Sequence, residues 1–195
     1  MNSMIVKSAA GFRGLCATLI LFIALTTISY AQVLGNQPWT TTGSTGTADE
    51  GSEFSFTGGT AFLTGSAGFI RYNVVAVDGL FENAPFGQAA FPQMTVRFRD
   101  SEDTEKRVRV FLRRTPLAGG NTVTLLSMDT NNFAPSINFQ TQSVRAGCGD
   151  NFSFDFVHFA YYIEVEMTNE GPVSPAVAQI QLGLIGDVCI QGPGN

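Results

Sequence analysis

Seven cationic side chains crowd into "VRFRDSEDTEKRVRVFLRRT", residues 96–115: Arg97, Arg99, Lys106, Arg107, Arg109, Arg113 and Arg114. Guanidinium groups fit carboxylates and sulfates through paired N–H donors, so the chemistry this spacing offers is anion recognition. In a strand, alternate residues face opposite ways, which sets Val96 and Phe98 against Arg97 and Arg99. The same parity sets Val108, Val110 and Leu112 against Arg107, Arg109, Phe111 and Arg113. With "DSEDTE" as the turn, the two runs would pair as a hairpin. Arg97, Arg99, Arg107 and Arg109 would then form one ladder on a solvent face, the candidate binding surface. Like charges across a strand pair repel, so acids must lie alongside, either in that turn or on the strand bearing Glu164 and Glu166.

Those two glutamates, in "YYIEVEMTN", lie two residues apart and project from one strand face about 7 Å apart, within reach of paired-carboxylate glycosidic hydrolysis. The run resembles part of the E-x-D-x-E strand of sandwich-fold glucanases. The likeness covers Glu164 and Glu166 only; Thr168 stands where the last acid would be, and the chain's one tryptophan, Trp39, builds no aromatic subsite. It implies a glycan-active hydrolase, whereas an acidic outer strand face accounts for the same letters.

Other reactive residues are few. His158, the only histidine, shares parity with Phe152, Phe154 and Phe156 and is expected on a core or barrel face, away from catalysis. No nucleophile elbow, phosphate loop or H-E-x-x-H occurs, so no catalytic, cofactor or metal residues are assigned. Asp129, Asn131 and Asn132 offer oxygens to a calcium ion without the spaced acids of an EF-hand, and Asx turns use the same residues. Asn151-Phe152-Ser153 is a formal glycosylation sequon.

The positioning elements are strands. Residues 69–77, 94–99, 106–114, 121–128, 136–144, 151–159, 161–167 and 177–186 are predicted strands, separated by turns rich in Gly, Pro, Asn and Asp. Two more short strands are expected between residues 35 and 68, where phenylalanines interrupt a Gly/Thr/Ser-rich stretch. No segment keeps a 3.6 period. The fold class is therefore all-β, an antiparallel sandwich or jelly roll of about 8–10 strands. The connection 78–92, with Phe81, Phe86 and Phe91, either covers the core or contacts a ligand.

The ends bound the cellular context. Lys7 and Arg13 precede an apolar run, Leu15–Ile28, and Ser29-Tyr30-Ala31 offers small residues for cleavage, so residues 1–31 are read as a signal peptide. The run is shorter than the roughly 20 residues of a membrane anchor. Residues 32–50 form a Gly/Thr/Ser-rich segment and 51–195 the sandwich domain. Loss of Lys7 and Arg13 moves the net charge from −5 to −7, which disfavours nucleic acid and anionic membranes. Two cysteines remain, Cys148 and Cys189, and an exported chain is expected to join them as a disulfide. These features together predict a secreted or periplasmic, non-catalytic binding module for carbohydrate or another anionic surface ligand, without cofactor. A structural or surface-assembly subunit, oligomeric or meeting an acidic protein face, is the alternative, and a glycan-active hydrolase is the third reading.

Overall fold

A computed structural model describes residues 37–80, 90–100, 106–147, 152–171 and 173–186. They belong to one compact unit, Asn36–Asn195; a second unit, Met1–Gly35, contains the expected signal peptide and lies outside the described residues. The strands, in chain order, are β1 (Trp39–Thr42), β2 (Thr47–Ala48), β3 (Phe54–Thr57), β4 (Thr60–Leu63), β5 (Ala67–Val74), β6 (Ala90–Arg99), β7 (Arg107–Pro116), β8 (Val123–Asp129), β9 (Gln140–Arg145), β10 (Phe159–Thr168) and β11 (Ala176–Gly186). The predicted β-sandwich is the fold observed: two antiparallel sheets, one of six strands and one of five.

The six-stranded sheet runs β3-β4-β11-β6-β9. β6 takes one edge of β11, and β4 and β1 share the other, at Ala176–Val177 and at Gln179–Leu182 respectively. The five-stranded sheet runs β2-β5-β10-β7-β8. Alternation decides which side chains meet between them. Met94, Val96 and Phe98 from β6 and Ile180 and Leu182 from β11 face Ile70 and Tyr72 from β5, Val108, Val110 and Leu112 from β7, and Ile163, Val165 and Met167 from β10.

The sandwich starts upstream of residue 51. Trp39 is buried and β1 pairs with β11, so the Gly/Thr/Ser-rich segment supplies strands to both sheets. The short helical turn after β1, Gly43–Thr45, wedges against β11. A Cβ on Gly43 would stand 1.8 Å from the Val177 carbonyl oxygen, so only glycine fits there. Its own carbonyl accepts a hydrogen bond from the buried Tyr72 hydroxyl at 2.8 Å, and burial pushes the Tyr72 phenol up from its usual range.

Two expectations fail. Residues 152–158 form no strand despite their alternating phenylalanines. Local hydrogen bonds win: the Asp155 carboxylate accepts from the backbone N–H groups of Val157 and His158, and the Tyr161 hydroxyl accepts from that of Asp155, closing a turn. Phe154 still reaches the core, its ring 5.1 Å from that of Tyr161. His158 is thereby placed at the exposed tip of the turn instead of on a core face, its Nδ1 2.7 Å from Asp155 Oδ2. That contact holds the Asp155 carboxyl below the usual range.

The second failure concerns the hairpin. β6 and β7 do not pair; β6 lies between β11 and β9 in the six-stranded sheet, and β7 between β10 and β8 in the other. Asp100, after β6, and Lys106, before β7, are both buried; residues 101–105, the rest of the expected turn, lie outside the described residues. The separation has an electrostatic reason. A β6–β7 pair would juxtapose four arginines, whereas β7 beside β10 meets two glutamates in register. Of the 78–92 connection, 78–80 form a short helical turn and Leu80 and Phe91 are buried; residues 81–89 lie outside the described residues.

Candidate functional site

The outer face of the five-stranded sheet is self-neutralised. Arg71 bridges Asp49, at 2.6 Å, and Glu164 Oε2, at 3.2 Å; Arg113 takes the other Glu164 oxygen at 2.8 Å. Arg109 pairs with Glu166, and Arg107 with both oxygens of Asp129. The Arg107 hydrogen bond is the main reason the Asp129 carboxyl lies below its usual range. Phe111 lies beneath the Arg109 and Arg113 guanidinium groups, 5.9 and 4.6 Å from its ring centre.

These contacts bear on three candidate sites. Arg107 and Arg109 face carboxylates of their own chain. Both oxygens of Glu164 accept from arginines, which leaves neither directed at a substrate. Asp129 is engaged by Arg107 and by the backbone N–H of Asn131, the Asx-turn arrangement. Among the described residues, no group of three or more His, Cys, Asp or Glu side chains is placed to hold a metal ion. Replacement of Glu164 by Gln is expected to cost about 1–2 kcal/mol in urea denaturation, because it strips one carboxylate from two partly buried guanidinium groups. A loss below about 0.5 kcal/mol would show that the bridge adds no more than an exposed pair.

The six-stranded sheet is built differently. None of its strands contains an aspartate or glutamate, yet β6 and β9 carry Arg97, Arg99 and Arg145. Its outward rows are hydroxyls and amides in register: Thr42–Gln179–Arg97–Thr141, then Thr40–Gln181–Thr95–Ser143. Thr95 and Ser143 share a hydrogen bond of 2.7 Å, and Gln93 donates to Thr95 at 3.2 Å.

Arg97 and Arg99 sit on this face with unequal freedom. Arg99 donates to the Ser174 carbonyl at 2.9 Å, and its guanidinium carbon lies 5.4 Å from the Phe62 ring centre and 5.6 Å from that of Phe139. Arg97 is exposed; its guanidinium carbon lies 5.6 Å from the Phe139 ring centre, and no carboxylate among the described residues pairs with it.

Beside Arg97 is a pocket of about 400 Å³, lined by Thr42, Gly58, Gly59, Thr60, Arg97, Phe139, Ala178 and Gln179. Its origin is a junction. β1 and β4 meet along one edge of β11, and between their pairings β11 has a bulge at Val177–Gln179 that sets the small Ala178 in the gap. The β3–β4 turn forms one wall. Gly58 and Gly59 have φ of +57° and +82°, the backbone of a two-residue hairpin loop that glycine adopts without strain. Ligand pockets are usually about 300–1,000 Å³, so the space suits a small ring-sized group.

The four-arginine surface is thus divided between opposite faces of the molecule. Reading by parity found Arg97 but missed its neighbours Thr42, Gln179 and Phe139, which come from three other parts of the chain; "TGGT" was the one local signal. A second cavity, about 580 Å³, lies between β8 and β9, walled by Arg114, Thr124, Ser127 and Phe152 among others. Cys148, Cys189 and Asn151 lie outside the described residues. Among the described residues no helix is long and apolar enough to cross a membrane.

No family model matches the sequence, and no curated protein does. Among solved structures, the C-terminal family 6 carbohydrate-binding module of LamC, a marine laminarinase from Zobellia galactanivorans, is similar at 10% identity and a TM-score of 0.44, over 75% of this chain and 99% of that one. The xylan-binding CBM22-1 domain of Xyn10C from Paenibacillus barcinonensis is similar at 8% identity and a TM-score of 0.45, over 79% and 98%. A family 11 carbohydrate-binding module from Clostridium thermocellum is similar at 11% identity and a TM-score of 0.38, over 72% and 87%.

Proposed function

We propose that this protein is an exported, non-catalytic module that binds carbohydrate through the outer face of its six-stranded sheet. The observation that carries the reading is the contrast between the two outer faces. On the five-stranded sheet, Arg71, Arg107, Arg109 and Arg113 are matched by acids of the same chain. The six-stranded sheet instead presents in-register amides and hydroxyls, a pocket and an arginine, Arg97, with no carboxylate partner among the described residues. Amide and hydroxyl groups donate and accept at once, the pairing that sugar hydroxyls require. The reading of export is supported by the signal-peptide pattern of residues 1–31 and by the even pair Cys148 and Cys189, which in an exported chain would form a disulfide.

A glycan array probed with the mature protein tests the reading. Thr141→Glu with Ser143→Glu, two exposed changes that install the carboxylates this face lacks, is expected to abolish binding. Ser127→Glu, on the opposite outer face, is expected to leave it intact. Retention of no glycan by the wild type, or equal binding by the Thr141/Ser143 variant, overturns the proposal.

A further inference from the structure

We infer that the pocket beside Arg97 holds a uronate residue, so that the glycan recognised is an acidic one carrying carboxylates. The inference rests on the reading of this sheet as a glycan-binding face and names the ligand class.

Arg97 supplies the charge. Its guanidinium lies over Phe139, which limits the directions the side chain can take, and it sits in the acid-free sheet with open solvent before it. An anion arriving there displaces no internal carboxylate, unlike one arriving at Arg107, Arg109 or Arg113. The planar fork of N–H donors matches a carboxylate oxygen for oxygen, and a charge-assisted pair of this kind is about twice as strong as a neutral hydrogen bond.

The remaining lining chooses among carboxylates. Gln179 is directly across β11–β6 from Arg97, and Thr42 is directly across β1–β11 from Gln179, so hydroxyl, amide and guanidinium follow one another along a single row. Adjacent strands are about 4.8 Å apart, which spaces these groups on the scale of a sugar ring and its substituents. A small carboxylate such as acetate would satisfy Arg97 alone. A hexuronate carries its carboxylate on the same ring as its hydroxyls and satisfies the whole row. The Ala178 bulge and the side-chain-free turn at Gly58–Gly59 leave room for that ring against the backbone.

Calorimetric titration of the mature protein separates the possibilities, with oligogalacturonate, its methyl ester, a neutral hexose oligomer and a sulfated oligosaccharide as probes. The oligogalacturonate is expected to bind at least about tenfold more tightly than its ester, and Arg97→Gln to erase that preference with no change in melting temperature. Arg97→Lys, which keeps the charge and loses the fork, is expected to recover part of it. If ester, acid and neutral oligomer bind alike and Arg97→Gln changes nothing, the uronate assignment fails while the broader glycan reading stands. Preference for the sulfated probe over the carboxylated one overturns the assignment in favour of a sulfated glycan. Failure of every probe, together with an empty array, overturns both.

Discussion

Phe98→Ala is expected to lower the unfolding free energy by about 3–5 kcal/mol, measured by urea denaturation. Phe98 is fully buried on the inner face of β6, opposite Val177 of β11 and Gln140 of β9, and its ring lies 6.4 Å from that of Phe133. Truncation removes the largest side chain at that level of the core. The void is bounded by strands pinned into two hydrogen-bonded sheets, which limits collapse around it. A domain of this size has a total stability of about 5–15 kcal/mol, so the variant should sit near the edge of folding. Phe98 also lies between Arg97 and Arg99 in sequence, and its loss should disturb the outer face above it. A cost below about 1 kcal/mol would contradict its place between the sheets.

If Cys148 and Cys189 are joined as proposed, reduction of that bond, or Cys148→Ser with Cys189→Ser, is expected to cost about 4 kcal/mol, since the bond would close a loop of about 42 residues. The strand register supports the pairing. β9 and β11 flank β6 antiparallel to it and therefore run the same way. The Ala146 N–H donates to the Pro92 carbonyl, and Pro92 stands opposite Leu184, so both chains leave the same end of the sheet. Cys148 follows two residues after Ala146, and Cys189 three after Gly186. The expected fall in melting temperature is roughly 8–16 °C for a domain of this length. Free thiols titrated in the denatured, unreduced mature protein would sink the prediction.

Much of the fold is legible along the chain because period-two alternation is a local property. "MTVRFR", "RVRVFLRR" and "YYIEVEM" each announce an inner and an outer face, and β6, β7 and β10 have those faces. "NFSFDFVHF" shows the limit of the rule. Its alternation is as clean as any in the chain, yet Asp155 and Tyr161 offer its backbone closer hydrogen-bond partners than a neighbouring strand does. The site was partly legible too. An acid-bearing strand was required beside the arginines, and β10 supplies Glu164 to Arg113 and Glu166 to Arg109.

What the chain determines unaided is which side chains of a strand turn inward, since that follows from backbone geometry at each residue. Which sheet a strand joins depends on backbone N–H and C=O groups, alike in every residue but proline, and on side-chain partners distant along the chain, so the strand by itself carries no record of its neighbour. β6 and β7, adjacent in sequence and alike in composition, read as one basic hairpin. Tertiary structure placed them in opposite sheets, where β7 found its acids and β6 joined strands that have none. The division turned one apparent arginine ladder into a neutralised face and a face whose strands carry arginines but no acids, with Arg97 held beside a pocket.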